Sequence, residues 1–181
     1  RNRVMGQKYA ELTPSHIEFI EQQPLFFVAT APKEGHINLS PKGYDSLQIL
    51  SPKRIIWLNL TGSGNETAAH LLEDERMTLM FNSFGNSPLI LRTYGTATAI
   101  YPDQPEWDAL YAHFPENGGA RQIFDLSIDL IHTSCGFGVP QMALTTKREH
   151  LDRWIEKKGV SGIQQYQQEK NQISMDGKKT R

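Results

Sequence analysis

The chain of 181 residues has one cysteine, Cys135, and almost no excess of charge of either sign. A single cysteine cannot form an intramolecular disulfide framework or a zinc site of several cysteines, so a reducing compartment is expected. The 19 basic and 20 acidic side chains leave a formal net charge of -1. This balance gives no signal for wrapping nucleic acid or for coating an anionic membrane.

Long apolar runs, repeats and an export signal are also missing. Apolar stretches such as 24–31 are far shorter than the roughly 20 residues that span a bilayer, and no charged-then-apolar leader opens the chain. We therefore expect a cytoplasmic protein with no membrane segment. No period of 20 to 50 residues repeats, which argues against solenoids and propellers.

The length suits one domain. Residues 1–4 precede Met5-Gly6 and are typical of a remnant upstream of a natural start. We expect residues 1–8 to be a tag or a disordered start. Residues 146–181 are expected to form a helical extension at the end of the domain.

Short apolar or alternating runs dominate the chain and predict strands. The candidates are 25–31, 36–39, 46–50, 54–60, 77–81, 89–101, 128–134 and 141–145. Helices are predicted from Thr13-Pro14, an N-cap followed by a first-turn proline, to about Gln22, and then after Ser63, over 105–114 and over 148–158. Six to eight mainly consecutive strands with few helices favour an antiparallel barrel over a parallel sheet. Gly95 lies inside a long predicted strand, where a bulge is expected.

The segment 57–72, WLNLTGSGNETAAHLL, runs from a strand through a glycine-rich turn into a helix. Such a turn presents backbone N–H groups and the positive end of a helix dipole, which suits a phosphate. Ser63 and Glu66 have the spacing of a capping box. An ordinary capped turn explains the same pattern. The Walker and dinucleotide-binding motifs both fail here, because no lysine lies between Lys53 and Lys147 and no further strand–helix alternation follows.

The segment 35–44, GHINLSPKGY, is a strand that is expected to exit at Ser40-Pro41-Lys42-Gly43. Proline stiffens such an exit, glycine permits a sharp turn, and Lys42 can reach a phosphate as a point charge. A surface loop with a solvated lysine is the alternative.

The order and spacing of these two segments resemble the pyridoxamine 5'-phosphate oxidase-like flavin mononucleotide (FMN)-binding split-barrel family. The segments 76–81, 90–95, 134–140 and 171–177 also resemble family features, so the similarity covers nearly all of 9–177. The resemblance implies a mainly β fold, a six- to eight-stranded antiparallel split β-barrel with flanking helices, that binds FMN at a homodimer interface.

The resemblance also implies a set of cofactor-binding residues. Ser40, Pro41 and Lys42 would line the flavin and its phosphate arm, Asn59 and Thr61 would meet the ring edge or ribityl chain, and Ser63 to Asn65 would hold the phosphate. The implied set is Asn38, Ser40, Pro41, Lys42, Asn59, Thr61, Ser63, Gly64, Asn65, Thr67 and Arg92. The partner chain would supply a second wall for the flavin, and the tail 174–177 would cover the neighbouring chain's site.

Two departures from the family pattern bear on function. The family often has Arg-Lys after the Gly-Ser turn, whereas this chain has Gly64-Asn65, so phosphate charge would rest on Lys42, Arg92 and the helix N-terminus. The chain also lacks an Arg-Leu-x-Pro-like element near its end, which disfavours vitamin B6 phosphates as substrates.

The leading hypothesis is an FMN-dependent oxidoreductase that uses a small-molecule electron donor or acceptor such as NADH or NADPH. No side chain is nominated as an acid or base, and no metal is implied. The alternatives are a non-catalytic flavin-binding or storage module and a barrel that binds haem or a deazaflavin.

Overall fold

The computed structural model describes residues 6–181 and contains eight strands and four helices in that range. The strands are Gln7–Tyr9 (β1), Phe26–Thr30 (β2), Asn38–Lys42 (β3), Leu47–Ser51 (β4), Arg54–Leu60 (β5), Arg76–Asn82 (β6), Ile90–Ile100 (β7) and Ala120–Ser134 (β8). The helices are Pro14–Glu21 (α1), Glu66–Leu71 (α2), Trp107–Tyr111 (α3) and His150–Lys170 (α4). No helix within 6–181 is long and apolar enough to cross a membrane.

All strand pairs are antiparallel, and the sheet runs in the order β3-β2-β6-β7-β8-β5-β4, with β1 added to β8. The consecutive strands β3 and β4 form its two edges, and no strand pairing joins them in the described part of the chain. The sheet is therefore an open barrel. The predicted mainly β fold with six to eight antiparallel strands is confirmed.

The barrel interior is filled by side chains that alternate along each strand. The ring centroids of Trp57 and Phe124 lie 4.5 Å apart, and Phe26 packs within 6.0 Å of Trp57. A second apolar cluster on the opposite face of β5 and β8 packs under α3. Because both faces are covered, residues 55–58 and 123–124 are buried without a break.

The predicted bulge at Gly95 is confirmed by a shift of register between β7 and β8 after Tyr94. A Cβ atom at Gly95 would lie 1.9 Å from the carbonyl oxygen of Ser127. Only glycine therefore allows the two strands to approach this closely.

The start of α1 also follows the prediction. The Thr13 side chain accepts a hydrogen bond from the backbone N–H of His16, and Pro14 occupies the first turn.

Several predicted elements differ from the structure. Gln7 and Lys8, expected in a disordered or tag-derived start, form part of β1, and residues 1–5 lie outside the described range. Ser40-Pro41-Lys42 belongs to β3, not to its exit, because an edge strand tolerates the missing N–H of proline. The predicted strand 141–145 is wrong, since these residues form neither strand nor helix.

The helix predicted over 148–158 is present, and a second helical stretch follows it. Gly159, with φ 66° and ψ 174°, interrupts the helix, and the second stretch continues to Lys170. The rings of Trp154 and Tyr166 lie 5.1 Å apart, so the second stretch folds back on the first.

Candidate functional site

One face of β3 presents a row of polar side chains to the barrel. Asn38, Ser40 and Lys42 are partly buried, whereas the intervening Leu39 and Pro41 are exposed, as the two-residue period of a strand requires. The Asn38 Nδ2 donates to Ser40 Oγ at 3.0 Å and to the Oγ1 of Thr67 on α2 at 3.4 Å. The row therefore faces the start of α2.

Lys42 connects the open edge of the sheet to β5. Its Nζ donates to Asn59 Oδ1 at 3.2 Å and lies 5.3 Å from the centre of the Trp57 ring. Burial, and then the nearby charge of Arg121, lower the pKa of Lys42 to about 8. The two predicted segments, 35–44 and 57–72, thus meet through Lys42 and Asn59 as well as through Asn38 and Thr67.

Asn59 and Gln122 form a buried amide pair across β5 and β8. The Asn59 Nδ2 donates to Gln122 Oε1 at 2.9 Å, and the same oxygen accepts from Arg121 Nε at 3.1 Å. Hydrogen bonds therefore run without interruption from Lys42 to Arg121.

Arg121 belongs to this hydrogen-bonded network, and the sequence did not reveal it. Its side chain is 6% exposed, and burial lowers its pKa to about 10. Its Nη1 donates to Gly62 O at 3.3 Å and to Asn65 Oδ1 at 3.0 Å, and its Nη2 donates to Gly64 O at 2.7 Å. The guanidinium thus binds the backbone carbonyl groups of the glycine-rich turn 62–65, although Arg121 lies more than 50 residues away in sequence.

The turn itself differs from the predicted capping box. Helix α2 begins at Glu66, and neither its N-cap residue Asn65 nor Ser63 makes a side-chain cap. Instead, Glu66 Oε2 accepts from the Asn65 backbone N–H at 3.0 Å, and Glu66 Oε1 accepts from the backbone N–H of Met175 at 3.2 Å. A carboxylate of the chain therefore lies at the start of α2, while Ser63 and Gly64 are exposed.

The C-terminal segment packs on the same turn. The Asn65 Nδ2 donates to the carbonyl oxygens of Lys170 and Ile173 at 2.8 and 3.2 Å, and the Asn171 Nδ2 donates to Gly62 O at 2.8 Å. The hydroxyl group of Thr61 is also engaged within the chain, because its Oγ1 donates to Gly119 O and accepts from Gln167 Nε2, both at 2.8 Å.

The tail 174–177 lies against its own chain. The Asp176 carboxylate accepts from the backbone N–H of His36 at 2.8 Å, and it pairs with the His36 ring at 2.6 Å. The expectation that this tail covers a neighbouring chain's site stays a prediction.

Arg92 is a predicted site residue that lies outside this hydrogen-bonded network. It lies on β7, where its Cα is paired with Met80 and His132, and its Nη1 donates to Ser134 Oγ at 3.4 Å. The hydrogen bonds that link Lys42 to Arg121 do not include Arg92. Its role in binding a cofactor stays a prediction, as do the roles of the other predicted residues.

A cavity of about 210 Å³ touches Lys42, between the end of α1, β2 and β4. Pockets that enclose small molecules and cofactors are usually about 300–1,000 Å³. This cavity is therefore smaller than a pocket that encloses a nucleotide, and of the predicted site residues only Lys42 lines it.

Comparisons with known proteins agree with this architecture. The family model described as pyridoxamine 5'-phosphate oxidase matches residues 12–135. The chain is 38% identical over 192 residues to the pyridoxamine 5'-phosphate oxidase family protein ustO of Aspergillus flavus, across 93% of this chain and 75% of the relative.

Two solved structures share the fold at low sequence identity. HupZ from Group A Streptococcus is 20% identical with a TM-score of 0.53, over 66% of this chain and 91% of that chain. A candidate pyridoxamine 5'-phosphate oxidase from Lactobacillus delbrueckii is 19% identical with a TM-score of 0.56, over 71% of this chain and 98% of that chain. The family match over more than half of the chain and the fungal relative together show that the chain belongs to the pyridoxamine 5'-phosphate oxidase family.

Proposed function

We propose that this protein binds FMN and acts as an FMN-dependent oxidoreductase. The observation that carries the proposal is the polar row of Asn38, Ser40 and Lys42, which faces Asn59 and Thr67 across the open edge of the barrel. Family membership supports a flavin as the ligand. A single terminal phosphate suits the few cations present, and the sequence has no dinucleotide-binding fingerprint, so FMN is preferred to FAD.

The residues fit such a ligand at the strand wall. Asn38, Ser40 and Asn59 offer amide and hydroxyl groups for the polar edge of a flavin or its ribityl chain. The exposed Ser63 and Gly64 remain candidates for the phosphate, whereas Asn65 is already engaged by the C-terminal segment. When bound, the flavin ring supplies hydride or electron transfer, and the protein binds and orients it.

Vitamin B6 phosphates are not the proposed substrates. The segment 170–173 is instead hydrogen-bonded to the turn 62–65 of its own chain. The electron donor is proposed to be a small molecule such as NADH or NADPH.

We further propose a twofold homodimer in which each FMN touches both chains. The polar row lies on β3, the open edge of the sheet, so a second wall would be needed to remove a flavin ring from water. Ile37, which precedes β3, and Leu39 on the outer side of β3 are 77% and 64% exposed, and Phe137 and Met142 of the segment 135–149 are also exposed. Such apolar side chains suit an isologous interface.

The purified protein tests the cofactor directly. An absorption spectrum with flavin peaks, and released cofactor that co-elutes with FMN, are the expected results. Released FAD would overturn the choice of FMN, and a Soret band would identify haem instead. Flavin that NADH and NADPH both fail to reduce would favour a binding or storage module over an oxidoreductase.

Light scattering at micromolar concentration tests the assembly. We expect about twice the chain mass of 20.6 kDa. A monomer that binds FMN at full stoichiometry would contradict both the interface and the shared site.

A further inference from the structure

Two cations, the buried Arg121 and the partly buried Lys42, lie at the end of the barrel and, among the described residues, donate only to neutral acceptors. Lys42 donates to the amide oxygen of Asn59, and Arg121 donates to the carbonyl oxygens of Gly62 and Gly64 and to two side-chain amide oxygens. Buried charges are normally paired with an opposite charge, because removing an ion from water costs several kcal/mol. Within 6–181, neither cation has such a partner in a hydrogen bond.

Glu66 is the carboxylate that acts electrostatically on both cations. Its two oxygens are bound elsewhere, to the backbone N–H groups of Asn65 and Met175. Two positive charges and one negative charge therefore leave an excess of one positive charge in this region. An anionic ligand would remove that excess.

The number of free donors on the two cations favours a phosphate. A lysine has three N–H donors and an arginine has five. Lys42 uses one of its donors and Arg121 uses four within the described residues, which leaves two donors on the lysine and one on the arginine. Three remaining donors on two cations match the several acceptor oxygens of a phosphate monoester.

We infer that Arg121 and Lys42 together recognise the terminal phosphate of the bound nucleotide. This inference rests on the proposed FMN-binding function and assigns the phosphate to a residue of β8. Arg121 thereby supplies the charge that the family often places after the Gly-Ser turn, where this chain has Gly64-Asn65. Arg92 is not needed for it.

The test compares FMN with riboflavin, which lacks the phosphate. We expect the wild-type protein to bind FMN at least about tenfold more tightly than riboflavin, and Arg121→Gln to lose most of that preference. A purely structural role in holding the turn would weaken both flavins equally. Arg121→Lys keeps the charge and should retain part of the preference. Arg76→Gln is the matched control, since Arg76 is exposed and pairs with Asp74.

Inorganic phosphate separates this inference from the proposed function. In the wild-type protein, phosphate should raise the thermal unfolding temperature and should compete with FMN but not with riboflavin. These measurements need no variant to fold, and the first needs no flavin. If phosphate binds and no flavin does, the anion site stands and the flavin proposal fails.

Two results would overturn the inference. One is an FMN preference that persists in Arg121→Gln, or that is lost only in Arg92→Gln. The other is a wild-type protein that neither responds to phosphate nor distinguishes FMN from riboflavin.

Discussion

Strands β5 and β8 carry two neighbouring cross-strand pairs on the same face with opposite chemistry. Trp57 opposite Phe124 is a pair of packed rings in the core, and Asn59 opposite Gln122, two residues along, is a hydrogen-bonded amide pair. Both pairs are buried. The two pairs differ in their neighbours. The aromatic pair is surrounded by the apolar interior, whereas the amide pair is hydrogen-bonded to Lys42 and Arg121.

This contrast separates stability from binding within a single strand pair. An aromatic pair stabilises through buried area and close packing. A buried amide pair contributes little net stability, because it exchanges hydrogen bonds with water for hydrogen bonds within the protein. Its value lies in orienting polar groups, so changes at the two pairs should affect different measurements.

The largest effect is expected for Phe124→Ala. Loss of a fully buried ring that packs on Trp57 should lower the free energy of unfolding by about 3–5 kcal/mol. Urea or thermal unfolding measures the change. Ser127→Ala, at an exposed position of the same strand, is the control and should stay within about 0.5 kcal/mol. Equal losses in the two variants would remove the distinction between core and surface on β8.

Lys42→Ala should act on binding instead. We expect FMN affinity to fall by about 1.5–3 kcal/mol, because a charge-assisted hydrogen bond in a partly buried site is lost. Titration with FMN checks the change, and the exposed Lys53→Ala serves as the control. An unchanged FMN titration would show that Lys42 takes no part in binding FMN.

Asn59→Ala tests the amide pair directly. It removes the bond to Gln122 and the acceptor of Lys42, and it should lower the free energy of unfolding by about 1–3 kcal/mol, because a partly buried cation loses its acceptor. A double-mutant cycle with Gln122→Ala isolates the coupling between the two amides. A loss as large as that of Phe124→Ala would place this pair in the core.

The smallest effect concerns pH. The folded chain lowers the pKa of Lys42 to about 8 from 10.5, so the unfolded chain holds more protons on this lysine between those values. The free energy of unfolding should therefore rise with pH in that window, by about 1 kcal/mol for a partly exposed side chain. Urea unfolding of the wild type and Lys42→Met at both ends of the window gives the difference. A wild type that gains no more than the variant would contradict the lowered pKa.

The sequence predicted elements whose signals are local. The N-cap and proline at Thr13-Pro14 and the glycine within β7 act through their immediate neighbours or strand geometry, and both were confirmed. The strand predicted at 141–145 was wrong, because an apolar alternation alone does not supply a pairing partner.

The candidate site shows the same limit. The residues of the polar row on β3 and Asn59 could be nominated from the sequence, because each belongs to a compact motif, and their roles stay predictions. Arg121 was missed, because its contacts with Gly62 and Gly64 cross nearly 60 residues and depend on the register of β5 and β8. The hydrogen bond from Asn171 to the carbonyl oxygen of Gly62 depends on the path of the chain after α4, and no local sequence pattern predicts that path.

The hydrogen bonds between the glycine-rich turn and the C-terminal segment have a consequence for the order of folding. They join Asn65 to Lys170 and Ile173, and Gly62 to Asn171, across 105 to 109 positions of sequence. A chain emerging from the ribosome completes β8 at Ser134 well before these partners are available. The strands of the barrel can therefore pack their core early. The turn at the candidate site reaches its final arrangement only when residues 170–173 have docked.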